Sequence, residues 1–484
     1  MIAAFRRSQD TPFVAMTTVE RGLVLGLLGL IWAAVGIIHV QTGNPALLPV
    51  YLAFTCYVMA LALPFLLPGF RPAIFHPLVF YVLWVGVREL LTGQAALAAR
   101  GLETHRSVLL QGMDLNPVLA VSFMLEAVTI LALGLGYALT PGPRVPVLKP
   151  FATHGMAWKS LVWIGIAGIG VFMVLRHVGS LELMLLQRGL ARADRALADI
   201  GGHWAWLGGI ATIVPVFWLA CDAKAHKKPL FWAIVMAAML FKFLTTGSRG
   251  GTVSVLIFVL MVWSLQHKRI PYLSVLTGAF AVLVAVGLLG EFRHASQKST
   301  GKVIEEISLH GGIAEWAGAA LGELGNLSGE NSGQIAILAI VPEKVPYLSG
   351  ESYASIPFIF VPSAVWGNKP DAGGRLVAER IYNRDDTAIP AGAVGEAYWN
   401  FSYLGVPIVF FVYGMLLRLA GETYRRNVEN PLVMVMFVYF VTLFGPQTEK
   451  AYDFVHQAVP LVLIYLFSRY RFVLTRKKLG VPRP

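Results

Sequence analysis

The densest candidate for chemistry is Thr245-Thr246-Gly247-Ser248-Arg249-Gly250-Gly251, set between two apolar stretches. Its glycines permit the tight turn that such close spacing demands. A turn of this kind holds Arg249 near a membrane surface. A guanidinium there grips phosphate oxygens in bidentate fashion and keeps its charge at any pH. Lys242 lies seven residues earlier, about two helical turns, and so shares the face. The two bases would form a cationic wall at phosphate depth. The alternative for Lys242 is a side chain that snorkels to the interface as an anchor.

A second constellation begins at Pro362-Ser363-Ala364-Val365-Trp366-Gly367-Asn368-Lys369-Pro370 and continues through Arg375, Arg380 and Arg384. It ends in Gly395-Glu396-Ala397-Tyr398-Trp399-Asn400-Phe401, directly before an apolar run. Glu396 is then expected at the membrane surface, near the depth of Arg249, where a carboxylate can take a proton. The Tyr398 ring and the Asn400 amide suit a sugar. The competing readings are a helix cap for Glu396 and an aromatic belt for Tyr398 and Trp399; the belt is preferred for Trp399.

Further candidates are more scattered. Arg293 and His294 leave one apolar run, while Glu449, Lys450, Asp453 and His456 precede the last. His456 suits a base and equally an interface residue. Arg293, Lys369, Arg375 and Lys450 could hold phosphate or acidic sugars. Glu126 falls inside an apolar run, where an acid costs at least about 2.5 kcal/mol and needs an interior partner. Arg88, Lys242 or another base would serve structurally, and a catalytic role is the alternative. Two cysteines, Cys56 and Cys221, are too few for a Cys-rich zinc site. The chain has no His-Glu-x-x-His, no P-loop and no dinucleotide-binding glycine pattern, so no metal and no cofactor is expected, and an ATP-driven pump is disfavoured.

These residues must be positioned by apolar elements. Of 484 residues, 56% are hydrophobic and 14% charged, with mean hydropathy +0.65; a soluble domain carries about 25% charged residues. The expected fold is an all-α polytopic membrane protein of about 12 transmembrane helices with a long periplasmic loop. Spans are expected near 23–40, 47–67, 74–91, 118–139, 159–176, 204–221, 230–246, 252–265, 271–290, 404–420, 432–446 and 456–474. The domain organisation is then residues 1–290 with nine spans, a loop at 291–403 with short helices, and 404–484 with three spans and a basic tail. Within the loop, Gln334 to Val341 is apolar enough for an interfacial or re-entrant helix. With the N-terminus inside, the net charge of +12 divides into +16 on the inner side and −4 on the other. Every short inner loop is basic, as the positive-inside rule requires. The excess charge is therefore a topology signal and not a nucleic-acid footprint.

At Ser248-Arg249-Gly250, at Trp366 to Pro370 and at Gly395 to Phe401, the chain resembles the O-antigen polymerase family, the Wzy-type polymerases of oligosaccharide repeat units. It departs from that pattern at Ser402, where Gly is usual. The resemblance implies a GT-C-like helical glycosyltransferase in the bacterial inner membrane, with cytoplasmic termini and a periplasmic site. It implies undecaprenyl-diphosphate-linked glycans and membrane lipids as partners, with a chain-length regulator as a candidate and no nucleic acid. The growing glycan would pass to a hydroxyl of the incoming lipid-linked unit, releasing undecaprenyl diphosphate without a metal. Arg249 would hold the departing diphosphate, and Glu396 first, then His456, would act as base. The alternatives are a ligase-like glycan transferase and a transporter without catalysis. Ligases of this kind carry a His-rich loop, whereas His294 and His310 stand alone between residues 291 and 403.

Overall fold

The computed structural model describes residues 12–68, 70–102, 110–142, 145–149, 153, 155–179, 203–246, 249–273, 275, 278, 332–358, 361, 366, 372–384 and 388–470, with residues 92, 249, 250 and 332 as backbone only. Helices dominate, and a single isolated bridge joins Ala15 to Ala73 among the described residues. Among the described residues, eight helices are long and apolar enough to cross a membrane: α1 (Thr18–Thr42), α2 (Pro45–Leu66), α5 (Asn116–Leu139), α6 (Met156–Val178), α7 (His203–Cys221), α8 (Pro229–Thr246), α13 (Ala393–Arg426) and α15 (Thr448–Arg469). Shorter apolar helices are α3 (Pro77–Val87), the main part of α9 (Arg249–His267) and α14 (Pro431–Leu443). The remaining helices are α4 (Ala95–Arg100), α10 (Ser332–Ile340), α11 (Glu351–Ala354) and α12 (Gly373–Arg380). The chain is thus an all-α polytopic membrane protein. Eleven of the expected spans coincide with apolar helices, and the other, 271–290, lies almost wholly outside the described residues.

Local sequence accounts for several helix ends. Thr17 caps α1 by accepting the Glu20 N–H at 3.2 Å, and the Glu20 carboxylate accepts the Thr17 N–H in return, a reciprocal capping box. Gly43, at φ 60°, closes the same helix. Asn430 caps α14 by accepting from the Leu432 and Val433 amides.

Two apolar clusters form the interior. One joins α1, α2, α3, α5, α10, α12 and α13. The other joins α6 to α9 with α14, α15 and the end of α13. The most extensive packing is α13 against α5. It depends on two glycines, Gly136 of α5 and Gly414 of α13. A Cβ on Gly136 would run into the Phe411 backbone, and one on Gly414 into the backbone of Leu133 and Tyr137. At the opposite end of the molecule from Glu396, the buried Lys159 ammonium donates to the Ser468 carbonyl at 2.7 Å, tying α6 to α15.

One helix departs from its expected bounds in a way that moves a candidate site. The tenth span, expected at 404–420, starts at Ala393 and runs to Arg426. Its polar first turns lower the local hydropathy, yet they remain helical because their side chains are satisfied inside the protein. The helix is broken at Phe401 (φ −138°, ψ 21°) and Ser402 (φ 58°, ψ −162°). That backbone region at Ser402 is essentially reserved for glycine, which explains why the family pattern carries Gly there. The Ser402 hydroxyl pairs with Tyr347 Oη at 3.0 Å. Relief of the strain should outweigh that bond. Ser402→Gly is therefore expected to raise stability by about 1 kcal/mol, seen as a higher unfolding midpoint in detergent; a lower midpoint would show that the Tyr347 contact dominates.

Candidate functional site

Glu396 sits in the first turn of α13, fully buried. Its Oε1 accepts from Ser352 Oγ of α11 at 2.6 Å and from Thr448 Oγ1 of α15 at 2.8 Å. Its Oε2 accepts the Thr448 N–H at 3.0 Å. The Thr448 hydroxyl oxygen accepts in turn from the Gly373 N–H at 2.9 Å, the start of α12. One carboxylate therefore joins the ends of four helices. Asn400, one turn later on α13, donates to the Ser352 hydroxyl at 2.9 Å and to the Glu396 carbonyl at 2.8 Å.

The pair Gly373-Gly374 lets α12 approach this closely. A Cβ on Gly373 would stand 2.7 Å from the Glu396 carboxyl carbon. The Gly374 N–H donates to Glu449 Oε1 on α15, and a Cβ on Gly374 would collide with that same oxygen. The start of α12 thus presents its free N–H groups to Thr448 and Glu449, where a helix N-terminus favours negative charge. Tyr353 of α11 faces both acids. Its phenol is held well above the usual tyrosine range by burial and then by Glu396 and Glu449, so it stays a neutral donor, bonded to the Pro446 carbonyl at 3.1 Å.

The other candidates fall into three groups. Lys242, half-buried on α8, lies within the electrostatic reach of Asp453 on α15. This places the C-terminal part of α8 at the same end of the molecule as Thr448 and Glu449. Arg249 is the first residue of α9; Gly247 and Ser248, where the tight turn is expected, lie outside the described residues. His456 is exposed on α15, its carbonyl accepting from Trp206 Nε1 at 3.3 Å and its ring edge-on to Tyr452. Arg375 and Lys450 reach solvent near the cluster. Arg375 Nε bonds Glu379 at 3.0 Å across one turn of α12. Arg380 bridges instead to Glu351 of α11 at 2.8 Å. Arg293 and Lys369, like His294, lie outside the described residues.

Several side chains do something other than expected. Tyr398 is buried and donates to the Val341 carbonyl at 2.9 Å, so its hydroxyl holds the end of α10 and is not presented to a sugar. Trp399 is fully buried, with Nε1 donating to the Pro346 carbonyl at 3.1 Å; it is a core residue and not an aromatic belt residue, because residues 341–348 fold over it. Glu126 finds an amide and not a base: Gln334 Nε2 donates to its Oε1 at 3.0 Å and to Ser122 Oγ at 2.8 Å. Arg88 lies over Trp84 and 3.7 Å from Glu89. Gln334 belongs to α10, the helix expected between Gln334 and Val341, which packs between α5 and α13.

Glu396 and Asn400 stand out in the sequence, but their partners Ser352 and Thr448, and the glycines Gly373 and Gly374 that close the junction, do not. A Gly-Gly pair ahead of a short amphipathic helix was the only local signal. Ser352 and Thr448 carry none, because their importance comes from residues 44 and 52 positions away.

The fold and this buried polar junction define a polytopic helical membrane protein with a built centre at one end of its helices. Residues 380–474 match the family model described as O-antigen polysaccharide polymerase Wzy. The match spans α13 to α15 and includes Glu396, Asn400, Thr448, Glu449 and His456. It supports the Wzy-type O-antigen polymerase resemblance and an O-antigen polymerase role in a membrane. It begins after the Trp366 to Pro370 stretch and does not extend to Arg249. No curated protein and no solved structure matches the chain.

Proposed function

We propose that this protein joins undecaprenyl-diphosphate-linked oligosaccharide repeat units at the periplasmic face of the bacterial inner membrane. The growing glycan moves onto a hydroxyl of the incoming lipid-linked unit, and undecaprenyl diphosphate leaves. The observation that carries this reading is the four-helix junction on Glu396: Glu396 and Thr448 lie inside the stretch matched by the polymerase family, at the end of the molecule that also holds Lys242.

The leaving group sets the electrostatic demand. Negative charge develops on the diphosphate as it departs, and preorganised cations lower that barrier without reorganising. Arg249 and Lys242 supply them, with Lys450, Arg375, Lys369 and Arg293 as further contacts for phosphate or acidic sugars. Asn400 and the groups around Glu396 orient the acceptor. His456 stands on the same helix as Thr448, two turns on. The lipid tails lie between helices, and both chain termini are cytoplasmic.

The test uses lipid-linked repeat units extracted from cells that lack this protein. Purified protein should convert them into a ladder of longer glycans. Arg249→Ala should slow ladder formation by about 100-fold or more, the scale for loss of one charge-stabilising donor. A single transfer with no ladder would favour a ligase, and substrate movement without new glycosidic bonds would favour a transporter.

A further inference from the structure

Two carboxylates meet at the start of α12, and they are not equivalent. Glu396 accepts three hydrogen bonds through its two oxygens. Taking a proton from a substrate would require it to release donors that hold four helix ends. Glu449 is bound on one side only. Its Oε1 accepts the Gly374 N–H, while Oε2 is buried and has no hydrogen-bond partner among the described residues. A second orphan acceptor lies in the same network. Asn400 is 2% exposed, and its Oδ1 is also without a partner among the described residues. Its amide orientation is not ambiguous, because Nδ2 must face the Glu396 carbonyl, which can only accept. A buried acceptor left unpaired costs about 1–3 kcal/mol. Two of them, one an acid and one an amide, call for donors that no described residue supplies, and the hydroxyls of a sugar are donors of that kind.

The geometry points to Glu449 as the catalytic base, with Glu396 as the positioning residue that fixes the N-terminus of α15 beneath it. This rests on the polymerase reading. The acceptor sugar presents one hydroxyl to Glu449 Oε2 and another to Asn400 Oδ1. The hydroxyl oxygen attacks the anomeric carbon of the donor glycan. The bond from that carbon to the diphosphate oxygen breaks, and the electron pair leaves with undecaprenyl diphosphate. The hydroxyl proton passes to Glu449 Oε2 and then to the diphosphate or to solvent. The Gly374 N–H holds the other oxygen throughout, so the carboxylate is aimed without blocking the oxygen that reacts.

Glu449→Gln separates this role from folding, because its amide oxygen can still accept from Gly374. The variant, reconstituted in lipid nanodiscs, is given undecaprenyl-diphosphate-linked units extracted from cells lacking the protein. It should bind them as the parent does and keep its unfolding midpoint, while transfer falls by about 100-fold or more. Glu449→Asp, which restores a carboxylate, should recover part of the rate, and Glu396→Gln should lower the unfolding midpoint more than the rate. Parental rates in Glu449→Gln would overturn the assignment, as would loss of transfer in Glu396→Gln at an unchanged midpoint. Single-step transfer by the parent would remove the polymerase reading alone, since Glu449 is then judged on that transfer. No transfer by the parent would overturn both.

Discussion

Glu396→Ala is expected to destabilise the protein by about 2 kcal/mol or more, the scale for leaving buried hydrogen-bond donors without their acceptor. The substitution removes the acceptor for Ser352 Oγ, Thr448 Oγ1 and the Thr448 N–H. The two hydroxyls can rotate toward other acceptors. The Thr448 N–H cannot, because it is fixed at the first turn of α15. Each buried donor left unpaired costs about 1–3 kcal/mol. The N-termini of α12 and α15 should then separate from α13, and glycan transfer should fall with them. Unfolding midpoints of purified protein in one detergent, with Glu396→Gln beside Glu396→Ala, provide the measurement. A parental midpoint in the alanine variant would mean that the junction does not hold these helices together.

The second large effect is expected far from that site. Gly414→Val should cost about 3 kcal/mol or more, at the upper end of overpacking effects. A Cβ there would stand 2.9 Å from the Tyr137 nitrogen and 3.0 Å from the Leu133 carbonyl carbon. These are backbone atoms in a regular helix, so neither can swing aside as a side chain would. Within a membrane, close approach of two helices through small residues is itself the source of association, because lipid is as apolar as the helices. Gly136→Val should behave alike, since its added Cβ would meet the Phe411 carbonyl carbon at 2.8 Å. Gly134, on the same helix, has nothing within 4 Å of a built Cβ. Gly134→Val should therefore change stability by about 0.5 kcal/mol or less. Equal effects at Gly134 and Gly414 would show that helix propensity, and not the crossing, sets the cost.

The elements were legible in the sequence to different degrees. Long apolar runs such as those of α1 and α5 announce themselves, since each must hide its backbone polar groups in a helix before it enters lipid. The first turns of α13 do not, because Glu396 and Asn400 dilute the apolar signal and their partners lie elsewhere in the chain. Glu126 shows the same limit. An acid in an apolar run needs a partner, and that much follows from the cost of burial. That the partner is the amide of Gln334, 208 residues away, follows only from how α10 packs between α5 and α13. Tyr398 and Trp399 look like surface aromatics by position, yet the chain from Val341 to Leu348 covers them.

What the sequence determined by itself is the solvent of this protein and the chemistry available to it. Its hydropathy demands membrane helices, and its short motifs supply a cation of the kind that suits phosphate and an acid beside an amide. What only the tertiary structure decided is the division of labour between acids. Glu396 and Glu449 are 53 residues apart in the chain, and neither number nor type distinguishes them. Among the described residues, the fold supplies three donors to the oxygens of one and none to one oxygen of the other. The reason is physical: a carboxylate's role depends on which of its lone pairs are already occupied, and the donors come from helices that meet only when the chain is packed.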